Sequence, residues 1–163
     1  MIAIRQYRAE DAVAVGRLIA DTYTEFNLAF VPPEDLGRFL GPFQHAGSSD
    51  RHLQKAIADV IQSEMVFVAE TEGEIVGVLR GRVDRLASLF VCGRFHRQGV
   101  GRRLVERFEN ECRKRHATAI KVAATVYAVP FYLAMGYRRS TGIRSGRSFR
   151  GKGLPVQPMK KTL

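Results

Sequence analysis

The chain has 163 residues, 45% of them hydrophobic, enough for one buried core without disulfide or metal support, and a single domain over residues 1–163 is expected. Charges at Arg5, Arg8, Glu10 and Asp11 argue against a secretory leader, and no apolar run approaches a membrane span, so the reading is a cytoplasmic protein. The net charge of +10 is lopsided: residues 1–60 hold six Lys or Arg against eight Asp or Glu, and the remainder holds 20 against eight. The basic surface therefore belongs to the C-terminal two-thirds and suits an anionic partner, whether nucleic acid, a membrane surface or a phosphorylated cofactor.

Ile2 to Tyr7 alternates apolar and polar residues as a half-exposed strand does, and Glu10 to Phe26 then places Val15, Leu18, Ile19 and Phe26 at helical spacing. Asn27 to Ser49 is rich in proline and glycine and has room only for a short helix near Glu34 to Leu40. Asp50 to Ser63 returns to helical spacing, with Asp50 as its cap, and Met65 to Ala69 reads as a buried strand. Gly73 among polar residues predicts a hairpin to the strand Ile75 to Leu79. A further strand, Leu86 to Val91, leads into a helix whose apolar face is Val100, Leu104, Val105, Phe108 and Cys112, with Arg102, Arg103, Glu106, Arg107 and Glu109 opposite. A strand at Ala119 to Ala123, a short helix near Ala128 to Met135, and strand-like segments near Tyr137 and from Leu154 to Thr162 complete a mixed α+β pattern. Cys92 and Cys112 sit in apolar patterns and read as reduced core thiols.

Leu89 to Leu104 carries the chemistry. A strand runs through a turn with Gly99 and Gly101 into a helix, whose N-terminal N–H groups and partial positive charge can hold phosphate oxygens. Glycines there remove the Cβ atoms that would keep a diphosphate away, and Arg97, Arg102 and Arg103 add charge. Leu104 stands where a dinucleotide fingerprint needs its third glycine, and no Gly-Lys-Ser or Gly-Lys-Thr of a P-loop is present.

This segment resembles the acyl-CoA signature of the GNAT superfamily, Arg or Gln, two residues, Gly, one residue, then Gly or Ala, with His96 at its first position. Thr125 to Tyr137 is similar to the family's Ala-x-x-Phe-Tyr-x-x-x-Gly-Phe/Tyr block. The order of elements along the chain also fits, apart from Asn27 to Ser49. The resemblance implies the GNAT fold, with a mixed, mostly antiparallel sheet of about six to seven strands flanked by helices. It also implies acetyl-CoA as cosubstrate and N-acetyl transfer to a primary amine.

On this resemblance the amides of Arg97, Gln98, Gly99, Val100, Gly101 and Arg102 bind the pyrophosphate, and Leu89, Phe90 and Val91 offer backbone to the pantetheine arm where two strands splay apart. The Val91 amide becomes the donor to the thioester oxygen. Thr125 takes the place of an asparagine common in the family, and Tyr132 is the catalytic acid for the departing thiolate. A thiol with a pKa near 8.5 and a tyrosine near 10 put that transfer about 2 kcal/mol uphill, and a desolvated cleft is expected to ease it.

Ser88 replaces a glutamate frequent on the strand before the turn, and no general base is identified. Glu25, Glu70 and Asp84 are the nearest carboxylates by placement. His45, His52, His96 and His116 lack metal-ligand spacing, so no metal is expected. The acceptor, a small-molecule or peptide amine, is expected to meet Tyr23 to Phe43, which is partly acidic, and Ser140 to Leu154, which is basic; the two point to opposite acceptor charges. A homodimer is left open, and neither nucleic acid nor membrane is expected as a partner. Two alternatives stand beside catalysis: an acyl-CoA-binding sensor without turnover, and a nucleic-acid-binding protein, which the glutamates interleaved along the 100–116 helix argue against.

Overall fold

The computed structural model describes residues 1–163 and gathers eight strands into one sheet flanked by five α-helices. In chain order these are β1 (Ala3–Gln6), α1 (Ala12–Thr22), α2 (Leu36–Leu40), α3 (Arg51–Ile61), β2 (Met65–Thr71), β3 (Glu74–Arg82), β4 (Arg85–Val91), α4 (Val100–Lys114), β5 (Ala119–Thr125), α5 (Val129–Ala134), β6 (Arg138–Arg139), β7 (Arg144–Ser148) and β8 (Gly151–Thr162). The sheet runs β1-β2-β3-β4-β5-β8-β6, with β7 also on β8, and only the β4–β5 pair is parallel. It is the expected mixed, mostly antiparallel α+β arrangement.

Local signals account for most of the boundaries. Asp50 accepts hydrogen bonds from the amides of His52 and Leu53 and starts α3. Glu72 and Gly73, with φ of 48° and 77°, make the two-residue turn from β2 to β3. One core lies on each face of the sheet: Leu79, Leu86, Val122 and Met159 pack under α4 and α5, whereas Val68, Val78, Phe90 and Val156 pack under α1, α2 and α3. Cys112 is buried, Cys92 is half-buried, and both are free thiols.

Two expectations are corrected. Glu109 is not on the solvent side of α4. It is 2% exposed, accepts a hydrogen bond from Tyr137 Oη at 3.0 Å and pairs with Lys161 at 2.9 Å, because one turn beyond Val105 its carboxylate reaches β8 at the margin of the apolar stripe. The strand expected from Leu154 starts earlier, at Gly151, and the basic segment Ser140 to Leu154 ahead of it holds a strand of its own, since β7 pairs with the first half of β8. β7 serves the outer edge of β8 as far as Val156 and β6 serves it from Met159, while the Gln157 amide between them donates to Thr141 O. The strand count rises to eight for this reason.

Candidate active site

β4 and β5 are in register only at Arg85–Lys121 and Leu86–Val122, and beyond that they diverge around a cavity of about 630 Å³. A register shift at Arg80/Gly81 of β3, where Ser88 faces Arg80 and Leu86 faces Gly81, leaves Ala87 as an extra residue and turns β4 away. The cavity reaches both faces of the sheet, from Tyr132 of α5 to Tyr23 after α1.

The ladder with β3 decides which main-chain groups of β4 face this gap. Cys92 N–H donates to Val76 O at 2.8 Å, which makes Gly77–Val91 a non-hydrogen-bonded pair and, by alternation, Val78–Phe90 a hydrogen-bonded one. Leu89 and Val91 therefore turn their N–H and C=O groups toward the gap. Phe90 does not: its backbone is committed to Val78, so it meets the cavity it lines only through its ring, which packs on Tyr23 with centroids 5.2 Å apart.

His96 explains its place at the head of the signature in a way the sequence did not suggest. Its Nε2 lies 2.6 Å from Val91 O, so the ring donates there and occupies the Val91 carbonyl while leaving the Val91 N–H free. The ring also packs on Phe26 at 4.5 Å, and Phe26 stacks on Tyr127 at 5.6 Å.

The turn that follows is shaped for an anion. Arg97 has φ 61°, and Gly99 sits left-handed at φ 81°, ψ 6° as the N-cap of α4. A left-handed residue followed by helical ones aims successive N–H groups into one concavity. The first intrahelical bond is Arg103 N–H to Gly99 O at 3.0 Å, so the amides of Val100, Gly101 and Arg102 have no partner within α4. Space beside Gly99 is open, with no atom within 4 Å of where a Cβ would stand. Gly101 is different: a Cβ there would meet the Phe131 ring at 3.1 Å, so its smallness lets α5 approach α4. Arg102 lies along the surface toward Glu106, and the Gln98 side chain folds back onto Arg94 O.

Tyr132 lines the cavity, is 4% exposed, and packs edge-on against Phe131 and Tyr137. Burial alone pushes its hydroxyl well above the usual tyrosine range, with no cation offsetting it. The expected easing of proton transfer is therefore corrected, because the site disfavours tyrosinate and keeps Tyr132 a hydrogen-bond donor. Tyr23 is pushed up to about 12 by burial, and its hydroxyl bonds to Ser148 of β7, which donates to Phe39 O. Thr125 accepts from Asn27 Nδ2 at 2.6 Å, so an asparagine does reach this strand end, from the segment after α1.

Glu25, Glu70 and Asp84 do not line the cavity. Glu25 is on the surface, Glu70 pairs with Arg5, and Asp84 sits in the β3–β4 turn. Of the two acceptor segments, the basic one lines the cavity through Arg144, Arg147 and Lys152, and the partly acidic one reaches it only through Tyr23 and Asn27. Arg80, Ser88 and Asn27 are cavity residues that sequence patterns did not single out as binding groups, since nothing local marks a single arginine within a strand.

Residues 21–163 match the family described as an acetyltransferase (GNAT) domain. No curated protein sequence matches the chain. Among solved structures, a GCN5-related N-acetyltransferase from Rhodopseudomonas palustris is 21% identical, with 99% of this chain and 95% of that one covered and a TM-score of 0.78. PaiA N-acetyltransferase from Thermoplasma acidophilum in complex with coenzyme A is 14% identical over 100% and 99% of the two chains, with a TM-score of 0.74. A ribosomal-protein-alanine N-acetyltransferase from Brucella melitensis is 21% identical over 99% of both, with a TM-score of 0.61.

Proposed function

Since the chain belongs to the GNAT acetyltransferase family, we propose that it transfers the acetyl group of acetyl-CoA directly to a primary amine, in the gap between β4 and β5. The single observation that carries this reading is the Val91 N–H. It is unpaired, faces the gap, and stands at the strand end that leads into the N-terminus of α4.

The residues would divide the work as follows. The amides of Arg97 to Arg102 hold phosphate oxygens, aided by the positive end of a 15-residue helix. Leu89 and Val91 hold the pantetheine arm as if it were an added strand, and Val91 N–H also meets the negative charge that grows on the thioester oxygen. Acetyl-CoA supplies the activated acetyl group. A C–N bond replaces the C–S bond, the amine loses a proton, and the sulfur gains one. Tyr132 hydrogen-bonds the sulfur as charge develops there, a contact worth little to a neutral thioester. The Tyr132 hydroxyl, held above its ordinary range, keeps its proton at pH 10 where a free tyrosine is half ionised, so kcat should show no alkaline loss from this group up to that pH.

Calorimetry and thiol release test the reading together. Acetyl-CoA should bind at roughly micromolar affinity and compete with CoA, and an amine panel should release CoA. No binding up to millimolar cofactor would overturn the proposal, and binding without turnover on any amine would favour an acyl-CoA sensor.

A further inference from the structure

Five cations line the cavity, Arg80, Arg85, Arg144, Arg147 and Lys152, and no Asp, Glu or His joins them. Elsewhere the chain pairs its arginines and lysines readily, as in Arg5 with Asp11 and Glu70, Arg115 with Glu64 and Glu111, and Lys161 with Glu109. None of the five cavity cations lies within 4.0 Å of a carboxylate. Grouped positive charges without counter-charge raise each other's energy and favour an anion among them.

Arg80 is the fixed member of the group. Its Nε donates to Ile61 O at 3.1 Å and its Nη2 to Val60 O at 2.6 Å, at the C-terminal end of α3, and its Nη1 donates to Ser88 Oγ at 3.2 Å. The side chain is thus held in one orientation, and two of its five N–H groups remain free to bind. Arg80 and Ser88 are a cross-strand pair on the face that carries Val78 and Phe90, under α1 and α3. Arg144 faces Val156, also on that side. The α4 turn proposed for the cofactor phosphates lies over the opposite face, so these cations are placed for a different anion.

We propose that the acceptor is a small primary amine that also carries an oxyacid group, a carboxylate or a phosphate, held by Arg80 with Arg144, Arg147 and Lys152. The proposal rests on the acetyl-transfer reading and names the substrate class of that same site. The cofactor arm takes the Leu89 and Tyr132 side of the 630 Å³ cavity, and the part left on the α1 side suits a small molecule. The same positive field destabilises an ammonium, lowers the pKa of the bound amine, and raises its neutral, reactive fraction in a site that offers no carboxylate base. Polycationic amines meet only repulsion there.

The test measures thiol release from acetyl-CoA with the full chain on matched amines: α-amino acids against their amides, aminoalkyl phosphates against the parent amino alcohols, and spermidine. The anionic member of a pair should exceed its neutral partner in kcat/KM by about tenfold or more, the lower end of what a hydrogen bond to a charged group contributes. The carboxylate and phosphate arms identify which oxyacid fits. Arg144→Gln with Arg147→Gln, both on the exposed β7, should remove most of this preference while the Kd for CoA stays the same. Arg80→Gln should do so more fully. Equal or better turnover of neutral amines or spermidine would sink the proposal, as would an unchanged preference in the β7 double variant. If no amine turns over, calorimetry on the CoA-loaded protein decides: binding of the anionic amines but not their neutral partners supports the anion site, and no binding at millimolar concentration overturns it. Failure of acetyl-CoA itself to bind would remove the transfer reading, and the same amine titrations on the free protein would still judge the anion site.

Discussion

On the α4 side the gap between β4 and β5 is bounded by main chain, the unpaired groups of Leu89, the free N–H of Val91 and the first amides of α4, all within one stretch of the sequence. On the α1 side it is bounded by side chains from distant segments: Arg80 on β3, Tyr23 and Asn27 after α1, and Arg144, Arg147 and Lys152 on the β7–β8 hairpin. The hairpin is held by Phe149, which packs on Phe43 at 4.7 Å and Tyr23 at 5.8 Å, and by Ser148. A site made of amides tolerates wide change in side chains but not in backbone shape. A site made of side chains can be re-specified by a few substitutions, provided the packing beneath it survives. One sheet can thereby keep a constant donor site while its acceptor site diverges.

The largest effect should come from Tyr132, at the α5 end of the cavity. Tyr132→Phe should lower kcat about 10²- to 10⁴-fold, some 3 to 5 kcal/mol of barrier, with the KM for acetyl-CoA changed only a few-fold. The ring and its packing remain, so a folded variant that keeps more than about a third of wild-type kcat, where chemistry limits turnover, would show that Tyr132 does not assist the thiolate.

Gly99→Val comes next and breaks the main-chain side alone. A branched residue at φ 81° is strained and places methyl groups in the open concavity, so CoA affinity should fall by at least about 2 kcal/mol. Gly101→Ala is its counterpart: the new Cβ presses on Phe131, so the melting temperature should drop along with any change in CoA affinity. Both variants should melt earlier, the first from backbone strain and the second from crowding, so calorimetry separates the two, and equal affinity losses would mean the glycines act alike.

On the side-chain face, Ser148→Ala removes the partner of the buried Tyr23 hydroxyl and the donor to Phe39 O. Stability should fall by about 1 to 2 kcal/mol and the acceptor KM should rise, with CoA affinity untouched. A CoA affinity that moves with the acceptor KM would mean that the two faces are not independent.

This contrast also decides what could be read in advance. The α4 turn was legible because its requirements are local: glycines, a strand before, and an apolar stripe after. The strands β1 to β5 were legible through alternation and turn residues. β7 was not, because Arg144, Ser145, Gly146, Arg147 and Ser148 carry no apolar alternation, and the strand exists only through its pairing with β8. Glu109 misled because a carboxylate beside an apolar stripe looks solvated until Lys161 and Tyr137 arrive from β8 and the chain after α5. Which of Leu89, Phe90 and Val91 turns its amide to the gap could not be read from composition; only the ladder with β3 decides it. The anion site proposed for the acceptor rests on Arg80 lining one cavity with the hairpin cations, residues more than 60 positions apart in the chain.

The smallest effect is expected at the residue that departs from the family signature. His96 makes one hydrogen bond, to Val91 O, and packs on Phe26. It stands before Arg97 and Gly99, whose backbone angles shape the anion site, so its side chain orients the strand end more than it binds phosphate. His96→Ala deletes one hydrogen bond whose acceptor can turn to water, a loss of about 1 kcal/mol or less, and CoA affinity should fall by no more than about fivefold. His96→Gln restores a donor and should recover most of that loss, which a merely steric role for the ring would not allow. A drop in affinity as large as that of Gly99→Val would place the phosphates on the His96 side chain and undo the division between a main-chain donor site and a side-chain acceptor site.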